Sequence, residues 1–230
     1  MEQSTKIGLT GNMLKIIAMV AMLTDHVGLY LFPGVAVFRA IGRIAFPIFA
    51  FMIAEGYTYT GNRLRYFLMI AGLGTLCQIV TTIAERTLHQ GILITFSLAI
   101  AAIFLTEMFW NRQRVLYRIL AAIGLTLIVF TVLAAYLFPP FWIDYGAFGV
   151  FLPVLIYYIK GRKQKVLGMA VGIAVHALTA STVQWCSLFA IPLLFLYDGT
   201  RGKAKLKYLF YVFYPTHLVL LYLVAAFFFH

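Results

Sequence analysis

Charge is scarce in this chain of 230 residues: only 11% are Asp, Glu, Lys or Arg, and just seven are acidic. Soluble domains carry about 25%, so a water-soluble globular fold is excluded, as is any soluble domain with its own core. Cysteine is nearly absent. Cys77 and Cys186 sit in separate apolar stretches, without CxxC spacing or a His at ligand distance, and read as small buried hydrophobes. There is no phosphate-cradling glycine loop followed by Lys and Ser/Thr, no HExxH, no GxSxG and no carboxylate cluster. These absences argue against nucleotide-driven transport, zinc proteolysis and ion pumping. No low-complexity tract, long linker or internal repeat is visible, and no metal site is expected.

Hydrophobic residues make up 63% of the sequence and recur in runs of 15 to 22 residues. Runs of that length predict an all-α integral membrane protein, a single polytopic bundle over residues 1–230. About nine spans are expected, near 13–32, 40–60, 66–84, 91–110, 115–137, 146–160, 165–181, 184–198 and 208–229. The first run is too long for a cleavable signal and contains Asp25 and His26, so it reads as a retained anchor with Asn12 as its N-cap. Basic residues crowd alternate connections: Arg63 and Arg65; Arg112 and Arg114; Lys160, Arg162, Lys163 and Lys165; Arg201, Lys203, Lys205 and Lys207. The intervening connections hold almost none. That alternation places the N-terminus in the cytoplasm and His230 outside. It also accounts for the net charge of +11 without a nucleic-acid partner.

Few polar groups lie at membrane depth, which makes each one informative. Asp25 and His26 interrupt MLKIIAMVAMLTDHVGLYLF two-thirds of the way along. Inserting the carboxylate alone costs roughly 2–3 kcal/mol, so the pair is expected to face protein or a wet cavity. At 1.5 Å per residue they fall about 18–20 Å along the first helix, in the outer half of the membrane. Arg39 and Arg43 enter the second span at a matching depth, and either would relieve Asp25 by pairing with it. Neighbouring helix positions point about 100° apart, so Asp25 is read as an anchor and His26 as the residue facing the reaction space, with the reverse also open. Pro47 and Pro215 remove hydrogen bonds to the carbonyls of Arg43 and Tyr211, consistent with a cavity. His217, beside Tyr214 and Pro215 in FYPTHLVLL, is either a packing residue or a site residue; His176 has a weaker context. Glu55 would cap, pair with Arg63 or Arg65, or line a cytoplasmic entry. Glu107 is a further charge at depth.

The stretches LKIIAMVAMLTDHVGLYLFP and RAIGRIAFPIFAFMIAEGYTYTGN, with DYGAFGVFLPVLIYY, IPLLFLYDGTRG and KYLFYVFYPTHLVLL, closely resemble the TraX family, named for an F-pilin acetylation protein of conjugation systems. The resemblance runs from about Leu14 to Leu221 and is most specific at the DH pair, GRIAFPIFAF and YPTHL. It implies a multi-pass protein of the bacterial cytoplasmic membrane that acetylates an acceptor, the pilin amine in the family's namesake. The chain is also similar to the broader multi-helix membrane acyltransferases, which take an acyl group from cytoplasmic acyl-CoA and deliver it across the membrane. Their functional His on an early helix maps onto His26.

The resulting expectation is acetyl transfer from acetyl-CoA to an amine or hydroxyl acceptor, a pilin-like peptide or a glycan, reached from outside. His26 is expected as general base, since imidazole ordinarily titrates near pH 6.5, or as a transiently acetylated nucleophile. Arg43 is a candidate for stabilising the oxyanion, and His217 for contacting the thioester or sharing the proton. Arg39, Glu55, Tyr214, Arg201 and Lys203 are the candidate donor-binding residues; orientation alone also explains the basic loops. Two other classes fit the polar residues: a small proton-coupled permease, which would move substrate without covalent transfer, and an assembly scaffold, which would tolerate loss of His26.

Overall fold

The computed structural model describes residues 8–138, 140–204 and 206–229, so His230 and Lys205 of the sequence reading lie outside the described residues. Ten α-helices follow in order: α1 Gly11–Tyr30, α2 Ala36–Gly42, α3 Ala45–Tyr59, α4 Arg63–Glu85, α5 Ile92–Asn111, α6 Val115–Leu137, α7 Gly146–Tyr158, α8 Arg162–Thr179, α9 Ala190–Phe195 and α10 Lys207–Phe229, with a 3₁₀ segment Thr182–Phe189 before α9. Among the described residues, extended pairing is limited to two isolated bridges, Leu9 with Tyr197 and Gln90 with Ile143.

Among the described residues, six helical segments are long and apolar enough to cross a membrane: α1, α2–α3 together, α4, α5, α6 and α10. The other three expected spans are also helical. However, α7 and the 182–195 segment are shorter, and α8 begins on the polar run Arg162–Lys165. Large apolar side chains are left uncovered along the long helices, among them Val20 at 60%, Phe130 at 66% and Ile83 at 74% exposure. In water such surfaces would be costly, whereas in lipid they need no protein cover. The chain is thus an all-helical, multi-pass membrane protein.

Residues 1–52 and 160–230 form one compact unit, and residues 53–159 a second. In the first unit α1 packs against α2 and α10, while the 3₁₀ segment touches α2 and α8. The start of α1 differs from expectation. Thr10, not Asn12, is the N-cap, its hydroxyl accepting from the Met13 amide at 3.3 Å. The amides of Gly11 and Asn12, which have no acceptor within the helix, donate to the carbonyls of Thr200 and Arg201 at 2.7 and 3.0 Å. Asn12 is buried in the first turn and donates its side-chain amide to Ala204. A helix fed by carbonyls from the distant 200–204 segment can begin before the apolar run does.

The second expected span is broken in two. Arg43 closes α2, with its amide bonded to the Arg39 carbonyl, and α3 restarts at Ala45. Pro47 therefore lies in the first turn of α3, where a missing N–H costs little, and not in the middle of a helix. In the second unit α5 packs against α4, α6 and α7. Its apolar core includes Ala102, Ile128, Val132, Ile143 and Val150.

Candidate active site

The strongest polar constellation lies in the first unit, on α1, α2 and α10. Near its C-terminal end α1 projects Asp25 and His26, and α2 brings Arg39 and Arg43 alongside. Arg39 Nη1 donates to Asp25 Oδ2 at 2.7 Å and approaches the Asp25 carbonyl at 3.5 Å, while Arg43 Nη2 lies 3.9 Å from Asp25 Oδ1. The ion pair expected between Asp25 and one of the two arginines is present, chiefly with Arg39. Two glycines permit this close approach of α1 and α2. A Cβ on Gly28 would collide with Phe38, and one on Gly42 would occupy the space of the Asp25 carboxylate.

His26 points to a different neighbour. Its Nδ1 lies 2.8 Å from Nε2 of His217 on α10, and Nδ1 of His217 lies 2.8 Å from the Phe213 carbonyl one turn earlier. The direction of these bonds follows from the last partner. A carbonyl only accepts, so His217 Nδ1 carries the hydrogen, and its neutral ring then presents Nε2 as an acceptor. His26 must donate from Nδ1, which leaves the His26 Nε2 lone pair unprotonated. Three groups in series thus select one tautomer of His26 and aim its basic nitrogen.

Rings enclose the pair. Phe213 and Tyr214 lie 4.8 and 5.5 Å from the His217 ring, Tyr30 lies 6.2 Å from His26, and Tyr222 lies 5.1 Å from Tyr30. His217 is buried. Pro215 sits within α10 two residues before it, and the helix continues through the proline from Lys207 to Phe229.

The other predicted site residues are placed elsewhere. Arg201 lies at the start of α1, where its carbonyl receives the Asn12 amide, and Lys203 is exposed in the same connection. At 1.5 Å per residue this basic segment is about 21 Å along α1 from His26. His176 is on α8. Glu55 is buried on α3 in the second unit.

That second unit holds a polar cluster the sequence had not assembled: Glu107 was read as a charge at depth and Arg63 as a possible partner of Glu55, whereas Arg63 pairs with Glu107. Glu107 on α5 accepts from Tyr57 at 2.9 Å, from Tyr157, and from Arg63, with which it forms an ion pair. The Arg63 guanidinium also lies 4.8 Å from the Tyr57 ring centroid. Tyr57 and Tyr157 meet edge to face, 5.2 Å apart. Partners 44 and 50 residues away leave no local pattern to read. Among the described residues no group of three or more His, Cys, Asp or Glu is arranged to hold a metal.

The sequence pattern of the TraX protein family matches residues 10–225. A probable fimbrial assembly protein FimC, serogroup H1, of Dichelobacter nodosus is 27% identical, with 95% of this chain and 96% of that protein covered. An uncharacterised protein, RP591, of Rickettsia prowazekii (strain Madrid E) is 36% identical over 106 residues, 44% of this chain and 41% of its own length. No solved structure matches.

Proposed function

The chain belongs to the TraX family, and from that membership and the site's geometry we propose that it transfers an acetyl group from acetyl-CoA to an amine or hydroxyl of an acceptor at the outer face of the bacterial cytoplasmic membrane. The observation that carries this reading is the Phe213–His217–His26 series, which leaves His26 Nε2 unprotonated. The acceptor's heteroatom attacks the thioester carbonyl and gives its proton to Nε2. The new C–N or C–O bond forms as the C–S bond breaks, and the proton then passes to the departing CoA thiolate. The charge that develops on His26 is stabilised through its Nδ1–H bond to His217. Arg43, about one helical turn from Arg39, is the candidate donor to the carbonyl oxygen as it becomes an oxyanion.

The basic segment at Arg201 and Lys203 is suited to the phosphates of the donor, with the pantetheine arm running along α1 towards His26. The alternating basic connections support nine crossings with a cytoplasmic N-terminus, which puts this segment on the acetyl-CoA side. The whole-length likeness to a probable fimbrial assembly protein supports a pilin-like acceptor among the candidates. The test is transfer from labelled acetyl-CoA by purified protein in lipid. Replacing His26 by Ala is expected to lower the rate by about 10²- to 10⁴-fold, the usual share of a general base. Undiminished transfer in that variant would sink the assignment.

A further inference from the structure

We infer that the α5–α6 hairpin binds an anionic phospholipid, its phosphate held by Arg112, Arg114 and Arg118 and its chains lying along the first turns of α6. This goes beyond acetyl transfer and does not depend on it. The hairpin joins two helices long and apolar enough to cross a membrane, so its turn lies at the bilayer surface. From Asn111 to Leu120 every residue is exposed, and the stretch holds three arginines and no acid. The nearest carboxylate in the sequence, Glu107, is engaged by Arg63. Among the described residues none of the three arginines has an ion pair.

Orientation in the membrane asks only for positive charge, and lysine would serve it equally. Here all three cations are arginines, and two of them reach across to the other helix. Arg118 on α6 donates from Nε to the Phe109 carbonyl on α5 at 3.1 Å. The Arg112 guanidinium, just past the end of α5, lies 5.8 Å from the centroid of the Tyr117 ring on α6. These contacts hold the two arms in place and leave their terminal Nη groups without an acceptor among the described residues. Paired guanidinium N–H groups match the oxygens of a phosphate. Arg114, at the N-cap of α6, stands one turn before Arg118 and shares its face.

What separates a lipid from a soluble anion is the surface next to the charges. Val115 and Leu116 are 67% and 63% exposed, Ile119 and Leu120 follow them, and Trp110 is exposed at the end of α5. The apolar surface thus begins within about one helical turn of the guanidinium groups. A ligand that satisfies both must be anionic at its head and hydrocarbon immediately beneath. A zwitterionic lipid balances its phosphate with an ammonium that three arginines repel, so the surplus here selects an unbalanced phosphate.

The test is native mass spectrometry of the full chain, delipidated in neutral detergent and offered phosphatidylglycerol and phosphatidylcholine with identical acyl chains in equal amounts. The first lipid retained is expected to be phosphatidylglycerol by about tenfold or more, since each basic side chain at an anionic surface contributes about a factor of five. Arg112→Gln/Arg114→Gln/Arg118→Gln is expected to lower that preference about tenfold. The same number of cations removed from another connection, Lys160→Gln/Arg162→Gln/Lys163→Gln, is expected to change it less than twofold. Should the first triple variant fail to fold, Arg112→Gln and Arg118→Gln are read singly, each with an expected loss of about fivefold. Millimolar inorganic phosphate is expected to leave the lipid in place. No preference in the wild type, equal losses in the two triple variants, single variants that keep the full preference, or displacement by inorganic phosphate overturns the proposal.

Discussion

Gly42 has no side chain, and Asp25 uses the space. Adding a methyl group there would force the carboxylate out of the position in which Arg39 and Arg43 share it. Gly42→Ala is therefore expected to destabilise the protein by about 1–3 kcal/mol, the usual cost of overpacking, as read from thermal unfolding in detergent. A neutral result would mean that Asp25 moves aside freely. His217 invites a finer test, because its role towards His26 is that of an acceptor. Gln at this position can still offer an oxygen to His26 Nδ1, and Leu cannot. His217→Gln should keep more transfer activity than His217→Leu at similar folded yield; equal losses would reduce His217 to packing. At this scale the sequence was informative about which residues are unusual and silent about which of them meet. Asp25 and Arg39 are 14 positions apart on consecutive helices, so their pairing could be anticipated. His26 and His217 are 191 apart, and no local pattern links them.

Helix α10 carries a proline where an uninterrupted helix would be more stable. Pro215→Ala restores a donor for the Tyr211 carbonyl and removes a penalty of about 3 kcal/mol in a helix interior. The variant is expected to melt at a higher temperature yet transfer more slowly, because His217 lies two residues beyond the changed turn. Higher activity would contradict that reading. The connections α4–α5 and α6–α7 are joined by a second device, His89 Nε2 to Asp144 Oδ1 at 3.0 Å, flanked by backbone bonds from Gln90 to Trp142 and from Asp144 to Gln90. The hydrogen bond and charge of Asp144 raise the His89 pKa above its ordinary value, outweighing burial, with Glu85 adding to the effect. A raised folded-state pKa means that the stabilisation is fully present below the unfolded value, about 6.5, and is lost as pH rises through the folded one. The stability difference between wild type and His89→Gln should therefore be larger at pH 6 than at pH 9, and a pH-independent difference would refute the clasp. Element boundaries were largely legible, because each expected apolar run became helical and α6 matches at both ends. The α2–α3 break was legible in part: Pro47 cannot donate to the Arg43 carbonyl, which marked the backbone there as interrupted, whereas a full stop at Gly42 and restart at Ala45 were not foreseen.

For the molecule as a whole, apolar runs and basic connections carried most of the information, because in a bilayer hydropathy alone decides what can cross. The crossing count is where this signal weakens: α7, α8 and the 182–195 segment are helical without meeting the length or hydropathy of the other six. Single cysteines at positions 163 and 203, in a background lacking Cys77 and Cys186, are expected to react with an impermeant thiol reagent only after the cytoplasmic face is exposed. Labelling of either in intact cells would reverse the proposed orientation. The unit that bears the site joins two stretches, 1–52 and 160–230, and synthesis reaches them at very different times. The Asp25–Arg39 pair can form as soon as α2 emerges, whereas the bond between His26 and His217 must wait for α10, 191 positions further on. A chain stalled before α10 would own the ion pair but lack the aimed nitrogen, so on the proposed acetyl-transfer reading it would be inactive.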